Sequence, residues 1–557
     1  MYSGQLTRSL RGAARSGLAR LAFAASRPAP RAAALLHTTA PAPAEFDHET
    51  FTTAFLAEVG DVPSATDPAK SSAVLRRLVK SGVLQFTDMS EAPEKFFLAH
   101  RLLSTVGLGG FGIRFTVQYN LFAGSIVGLA GPKQIGMLDE IQAKGQLGCF
   151  LLTEMQAGVL SGLIVETTAE WNNDTQTFDL HTPSDKAAKN WISQGYTAEL
   201  GVVIADLRVD GVSHGPHPFF LQLRDGDTNE LMPGIRVEDM GIKTVANDLD
   251  NARVWFDHVQ LPRDALLNKF CEIDDEGAYQ VVGDEPMRIE VIGQRLLTGR
   301  QCIAEAAILS ARVLHMKTEA YAQEKVCNGL AGETSLASMP QLRSVFDESY
   351  RQLDEMMAFT SAVEEKLADC LRRGQIPDEE LVDAISVCKI RCIDVAIQRV
   401  HALRMEVGSY ALMHDTGFEL VDMFLCCKFA EGDSRILQQK LMRDRLKKMK
   451  KDGAATTLLK AVNPFSDEQA EAAVALSLGQ KLQAAGRDRE KMAQLMEEHW
   501  EQIYELANKV EERIIRTTPP SAFPEPIVER LARADTDYDD DWKEKVIQWK
   551  EELSVKA

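Results

Sequence analysis

The residues best suited to chemistry are a carboxylate, two hydroxyls and an indole set in three short segments. The first is Phe429-Ala430-Glu431-Gly432-Asp433-Ser434-Arg435-Ile436. Glu431 and Gly432 stand just before a helix running through Ile436, Leu437 and Leu441, with Asp433 or Ser434 as its cap. Alone, this is ordinary turn chemistry; chemically, it offers a base at a helix entrance. The second segment is Leu152-Thr153-Glu154-Met155-Gln156-Ala157-Gly158, and the third is Lys189-Asn190-Trp191-Ile192-Ser193-Gln194-Gly195. Each is too short to discriminate by itself. Their order along one chain is what carries information.

Other chemistries find no support. There is no phosphate loop, nucleophile elbow or zinc-spaced His cluster, so no metal site is expected. The nine cysteines are irregularly spaced with no Cys-x-x-Cys pair. Cys388 and Cys392 are one helical turn apart, but no histidine nearby completes a metal site; buried, reduced thiols are expected. Lys440, Arg443, Arg445, Lys447, Lys448, Lys450 and Lys451 form a basic run that reads as a solvated helix face favoured by the C-terminal dipole.

The formal net charge of −19 argues against nucleic acid or an anionic membrane as the main partner. No apolar run is long enough for a transmembrane helix. At 557 residues the chain exceeds a single domain. Residues 46–147 read as an N-terminal helical domain. From Gly148 the pattern alternates, with candidate strands at Leu163–Trp171, Phe178–Thr182, Gly201–Val209, Phe219–Arg224 and Ala252–Val259, giving a small antiparallel β-domain over 148–270. Helical spacing returns over 285–455 as a four-helix bundle, Arg300–Ala322, Met339–Arg372, Glu379–Val407 and Ser434–Met449. A helical C-terminal extension, 456–557, ends in an acidic cluster from Asp535 to Asp541. The fold class expected is mainly α with a central β-domain.

Residues 1–44 contain no acid but six arginines among Ala, Leu and Ser. That composition reads as a mitochondrial transit peptide over 1–40, with a matrix destination, or alternatively as a chloroplast transit peptide.

Taken together, the three segments resemble the acyl-CoA oxidase/acyl-CoA dehydrogenase flavoproteins. The order of helical domain, β-domain and bundle is similar to theirs, across roughly residues 70 to 445. Gly148 to Glu154, His181-Thr182-Pro183-Ser184-Asp185, Gly241-Ile242-Lys243 and Val254 to Arg263 are similar to the oxidase branch. The resemblance implies FAD-dependent conversion of an acyl-CoA substrate to trans-2-enoyl-CoA in fatty acid β-oxidation. Glu431 would remove the α-proton, and hydride would pass to flavin N5. It further implies Thr153, Gly158, Trp191, Ser193, Lys325, Gly408 and Asp433 as cofactor contacts, and Arg300 and Gly432 as substrate contacts. A homo-oligomer is implied too, with oxygen or a protein electron acceptor taking the electrons.

Several positions depart from the family pattern. After Thr153-Glu154 the loop reads Met155-Gln156-Ala157-Gly158-Val159-Leu160, replacing a polar pair by Val159 and Leu160. Lys325 stands where the family places an arginine on the FAD diphosphate of a neighbouring subunit, giving a point charge in place of a fork. Val407-Gly408-Ser409-Tyr410 keeps only Gly408 of a Gly-Gly-x-Gly turn. These departures imply an alternative: a catalytically degenerate member serving as a structural or assembly subunit of a mitochondrial complex.

Overall fold

Helix-start chemistry is explicit in the computed structural model. It describes residues 47–522 except 61, 63–65, 107–108, 159–163, 284–288, 330–331, 415, 453–466 and 486–487. The Asp47 side chain accepts from the backbone N–H groups of Glu49 and Thr50 to begin α1 (His48–Val59). Asp67 accepts from Lys70 N–H, and Pro68 occupies the first turn, to begin α2 (Pro68–Ser81). There follow α3 (Asp88–Glu91), α4 (Pro93–Val106), α5 (Gly110–Thr116), α6 (Gly124–Leu129), α7 (Pro132–Ile135) and α8 (Met137–Lys144). Between α5 and α6 the helix widens into a π segment, Val117–Ala123. Phe115 packs there against Phe96 and Tyr119, with ring centroids 5.5 and 4.9 Å away.

The β layer contains β1 (Gly148–Leu151), β2 (Thr168–Asn172), β3 (Thr177–His181), β4 (Lys189–Ser193), β5 (Leu200–Val209), β6 (Val212–Gln222), β7 (Ile235–Asp239), β8 (Asn251–Phe256) and β9 (Val259–Pro262). The main sheet runs β1-β5-β2-β3-β9, with β6 also on β5; β4-β8-β7 form a second sheet. Most strand pairs are antiparallel, as expected, but β1 and β2 both pair with β5 in parallel. β5 is buried along nearly its whole length. Such a continuous apolar run marks a strand covered on both faces, a feature of parallel pairing that alternation elsewhere conceals. Short hairpins β10 (Cys271–Ile273) with β11 (Tyr279–Val281), and β12 (Val326–Gly329) with β13 (Gly332–Ser335), lie outside these sheets.

After α9 (Ile289–Ile292) come the long helices α10 (Gln294–Glu324), α11 (Pro340–Arg372) and α12 (Glu379–Glu406), then α13 (Val421–Phe429) and α14 (Ser434–Asp452). α10 begins six residues before the expected Arg300, so Arg295 and Gly299 lie within it. The extension supplies α15 (Asp467–Ala485), α16 (Arg489–Glu498) and α17 (Trp500–Thr517). α17 packs on the bundle through buried Glu511, which accepts from Gln438 at 3.0 Å and lies 3.6 Å from Arg391. Much of the basic run is ion-paired, with Lys440 2.8 Å from Asp383 and Arg445 against Glu471. All nine cysteines are unpaired, six of them buried. Among the described residues no helix is long and apolar enough to cross a membrane. The Arg-rich segment 1–40, the pair Val159 and Leu160, and the acidic cluster from Asp535 lie outside the described residues.

Candidate active site

Glu431 sits in the turn between α13 and α14 with φ +56, a left-handed conformation that costs a non-glycine residue free energy. Gly432 follows at φ +98, where a side chain is strongly disfavoured. Arg300 holds this turn: its Nε donates to the Glu431 carbonyl at 2.8 Å. A Cβ on Gly432 would come within 3.3 Å of Arg300 Nη2.

The Glu431 carboxyl points at α10. A Cβ placed on Gly299 would lie 2.5 Å from its Cδ and 2.6 Å from Oε1, so the missing side chain of Gly299 makes the recess that the carboxyl fills. Oε2 is enclosed with no hydrogen-bond partner. Burial pushes the Glu431 carboxyl up to about 7, against the opposing charges of Arg300 and Lys389.

Lys389, on α12, is the second cation. Its Nζ donates to the carbonyls of Lys428 at 2.5 Å and Gly432 at 2.6 Å, and to Ser434 Oγ at 3.2 Å. It thereby ties the end of α13 to the start of α14 around Glu431. Burial, and after it the Arg300 charge, bring Lys389 down to about 7. Nothing in the residue type or local spacing distinguishes Lys389 from a surface lysine; only the packing of α12 on the turn does. Asp433 caps α14 through Arg435 N–H at 2.8 Å and pairs with the Arg435 side chain at 3.0 Å.

Beside this lies a buried polar cluster. Arg101 from α4 bridges Glu305 at 2.9 Å and Glu364 at 2.5 Å, and Gln301 donates to Glu305 at 2.9 Å. Burial raises the Glu364 carboxyl well above the usual carboxylate range, against the opposing charge of Arg101.

In the β layer, Thr153 and Trp191 are exposed on neighbouring segments, joined where Asn190 N–H donates to the Thr153 carbonyl at 2.8 Å. Trp191 is 56% exposed and Met155 nearby 40%, an uncovered apolar surface. Beneath them the fully buried pair Glu154–Lys189 closes at 2.9 Å. The Glu154 carboxylate also accepts from the N–H groups of Glu166 and Thr167, and Lys189 donates to the Ile204 carbonyl. Ser193 Oγ accepts from Asn251 at 3.2 Å. The neighbouring Asp250 binds buried Arg114 at 2.8 Å, fixing β4 and β8 to α5. Lys243 feels both Asp250 and Cys426 of α13, and Cys426 feels Lys389. The β layer therefore meets the bundle beside the Glu431 turn.

Two expected cofactor residues stand apart. Lys325 follows the last residue of α10, about 39 Å along the helix from Gly299 at 1.5 Å per residue. Gly408, with φ +64, belongs to the same distant end, where Tyr410 stacks on Tyr321 at 3.7 Å. Within one chain neither joins the Glu431 group, because α10 is a single uninterrupted helix. Gly158 is exposed, with open space where a Cβ would stand. Among the described residues His181, Asp257 and His258 bring ligating atoms within 4.8 Å, where His258 pairs with Asp179 at 2.8 Å.

No family model matches the chain. The human peroxisomal acyl-coenzyme A oxidase 3 is 32% identical over 243 residues, covering 43% of this chain and 34% of that protein. Peroxisomal acyl-coenzyme A oxidase 3 of Arabidopsis thaliana is 31% identical over 242 residues, covering 42% and 35%. Acyl-coenzyme A oxidase 3 of Yarrowia lipolytica is 26% identical over 405 residues, covering 68% and 56%. The chain thus spans about a third to a little over half the length of these curated relatives. Among solved structures, acyl-CoA oxidase 1 of Y. lipolytica superposes with TM-score 0.65 at 18% identity, over 92% of this chain and 82% of that one. Acyl-CoA oxidase-2 of Caenorhabditis elegans, bound with FAD, ascaroside-CoA and ATP, gives 0.66 at 18% identity over 89% and 78%. The human and Arabidopsis relatives are peroxisomal by name, which overturns the mitochondrial or chloroplast destination read from the N-terminal composition. In sequence over part of its length, and in fold over most of it, this chain is similar to the acyl-CoA oxidases.

Proposed function

We propose that the chain carries out FAD-dependent oxidation of an acyl-CoA to the trans-2-enoyl-CoA, with Glu431 as the base. The observation that carries this reading is an enclosed carboxylate with one unpartnered oxygen, set in a recess made by a glycine, where burial pushes it up to about 7. An α-proton beside a thioester is weakly acidic, so its removal needs a carboxylate of raised basicity and a dry surround. Oε2 of Glu431 receives the proton. Arg300 holds the turn so that the carboxyl keeps its aim, and the Glu431 backbone N–H is assigned to the thioester carbonyl, where negative charge develops. Gly432 leaves room for the thioester to approach.

The exposed indole of Trp191, with the Thr153 and Ser193 hydroxyls, suits a flat, partly polar ring system, and these residues would hold the flavin. When bound, that group supplies the acceptor for the β-hydrogen. The distance of Lys325 and Gly408 from this group favours their use on the cofactor of a second copy, hence a homo-oligomer. The test is product analysis: the full-length protein incubated with FAD and a panel of saturated acyl-CoA esters yields the ester lacking H2, and E431Q yields none. Absence of that product with every ester from the unsubstituted protein would favour the assembly-subunit alternative.

A further inference from the structure

The first turn of α10 carries a cation that no acidic side chain among the described residues neutralises. Arg295 is only 8% exposed, and its Nη1 is enclosed without a hydrogen-bond partner. The guanidinium lies along α6 in space left by two glycines one turn apart. A Cβ on Gly124 would come within 3.3 Å of Arg295 Cδ, and one on Gly128 within 3.2 Å of Nη2. The Arg295 carbonyl is fixed by Asn120 Nδ2 at 2.8 Å, so the start of α10 is anchored against the π segment.

A second cation lies nearby, its Nζ 5.4 Å from the centre of the Phe270 ring. Lys269 is exposed, and its backbone N–H donates to the Leu129 carbonyl at the end of α6 at 3.0 Å. Burial and the Arg295 charge both lower Lys269, so the two cations feel each other. The nearby carboxylate of Asp264 is taken by Lys133 at 2.8 Å. Burial alone lowers Arg295, to about 10, which leaves it charged at neutral pH. The C-terminal end of α6 favours a positive charge but gives Nη1 no acceptor. Buried charges are ordinarily paired, and an unpaired one calls for a ligand.

We propose that Arg295 and Lys269 form an oxyanion site for the acyl-CoA ligand, taking either a terminal carboxylate on the acyl chain or a phosphate of the CoA moiety. The placement supports this. Arg295 is four residues before Gly299 on α10, hence on the same face and about 6 Å along the axis from the recess that holds Glu431. Its side chain leans towards the N-terminus, away from the thioester position, as a group binding the far end of an extended ligand must. A guanidinium supplies a planar fork that matches both oxyanions. This inference rests on the acyl-CoA reading of the Glu431 site.

The test is calorimetric titration of the full-length protein, and of R295M and R295K, with decanoyl-pantetheine, decanedioyl-pantetheine and decanoyl-CoA. R295M is expected to lose at least tenfold in affinity for decanedioyl-pantetheine if the carboxylate is the ligand, or for decanoyl-CoA if a phosphate is. It should bind decanoyl-pantetheine within twofold of the unsubstituted protein, and R295K should recover part of the loss. Equal weakening of all three ligands would make Arg295 a structural residue and overturn the proposal, as would no change in any. Failure of the unsubstituted protein to bind any thioester would remove the acyl-CoA reading itself, a different result from binding that R295M leaves intact.

Discussion

Gly299 and Glu431 are 132 residues apart in sequence and in near contact in space: the carboxyl of one occupies the volume that a side chain on the other would need. The relationship makes a sharp prediction. Alanine is a better helix former than glycine by about 1 kcal/mol, so G299A keeps the fold while its methyl displaces the carboxyl. Turnover should fall by about 10²-fold, the order expected when a reacting group is misplaced by an ångström. Unchanged turnover in folded G299A would show that Glu431 need not occupy that recess.

The raised Glu431 carboxyl gives two pH effects. Activity needs the ionised form, so kcat/KM should rise with pH to a plateau above about 7. Stability runs the other way. The carboxyl moves from 4.5 unfolded to about 7 folded, so the folded state binds the extra proton between these values. Its stabilisation is complete below 4.5 and is lost as pH rises through 7. Thermal melts of the unsubstituted protein and E431Q across this window should diverge accordingly; parallel curves would contradict the shift.

Lys389 contributes both structure and charge. K389M removes three hydrogen bonds that close the turn, and bonds to a charged group are each worth about 1.5–3 kcal/mol. Its charge also opposes the upward shift of Glu431, so its loss should move the ascending limb of the pH–rate profile to higher pH. A stability loss with no movement of that limb would confine Lys389 to a structural role.

The Glu154–Lys189 pair lies beneath Thr153 and Trp191. Removing one partner of a buried pair leaves an uncompensated charge and costs about 3–5 kcal/mol. K189M should therefore lower the melting temperature and weaken FAD binding, because the Thr153 and Trp191 segments lose their common anchor. Equilibrium dialysis against FAD checks this; undiminished binding in a destabilised K189M would separate the pair from the cofactor.

Much of the layout was legible in the chain, and particular residues show why the rest was not. Glu431-Gly432 before Ser434 marked the turn, since glycine and a cap are local signals. The helices at Glu379 and Ser434 begin where helical spacing places them, the second with the expected cap at Asp433. Gly299 gave no signal, because a glycine inside a helix acquires meaning only from what packs against it. Lys389 likewise reads as one of many helix lysines until the Gly432 carbonyl is placed at its tip. Alternation revealed β2 and β5 but not that they run parallel. Resemblance assigns Lys325 to the cofactor of a neighbouring subunit, and the length of α10 sets it and Gly408 at the end away from Glu431. The early Arg-rich composition suggested a destination that the named relatives do not share.

The most direct test of the central claim is the visible spectrum of the FAD-loaded, full-length protein mixed anaerobically with a saturated acyl-CoA. Loss of the oxidised flavin band within a turnover is expected, with a slowing of about 10²–10⁴-fold in E431Q, the range for removing a general base. An oxidised band that persists in the unsubstituted protein, or one that E431Q bleaches at the same rate, would contradict the claim.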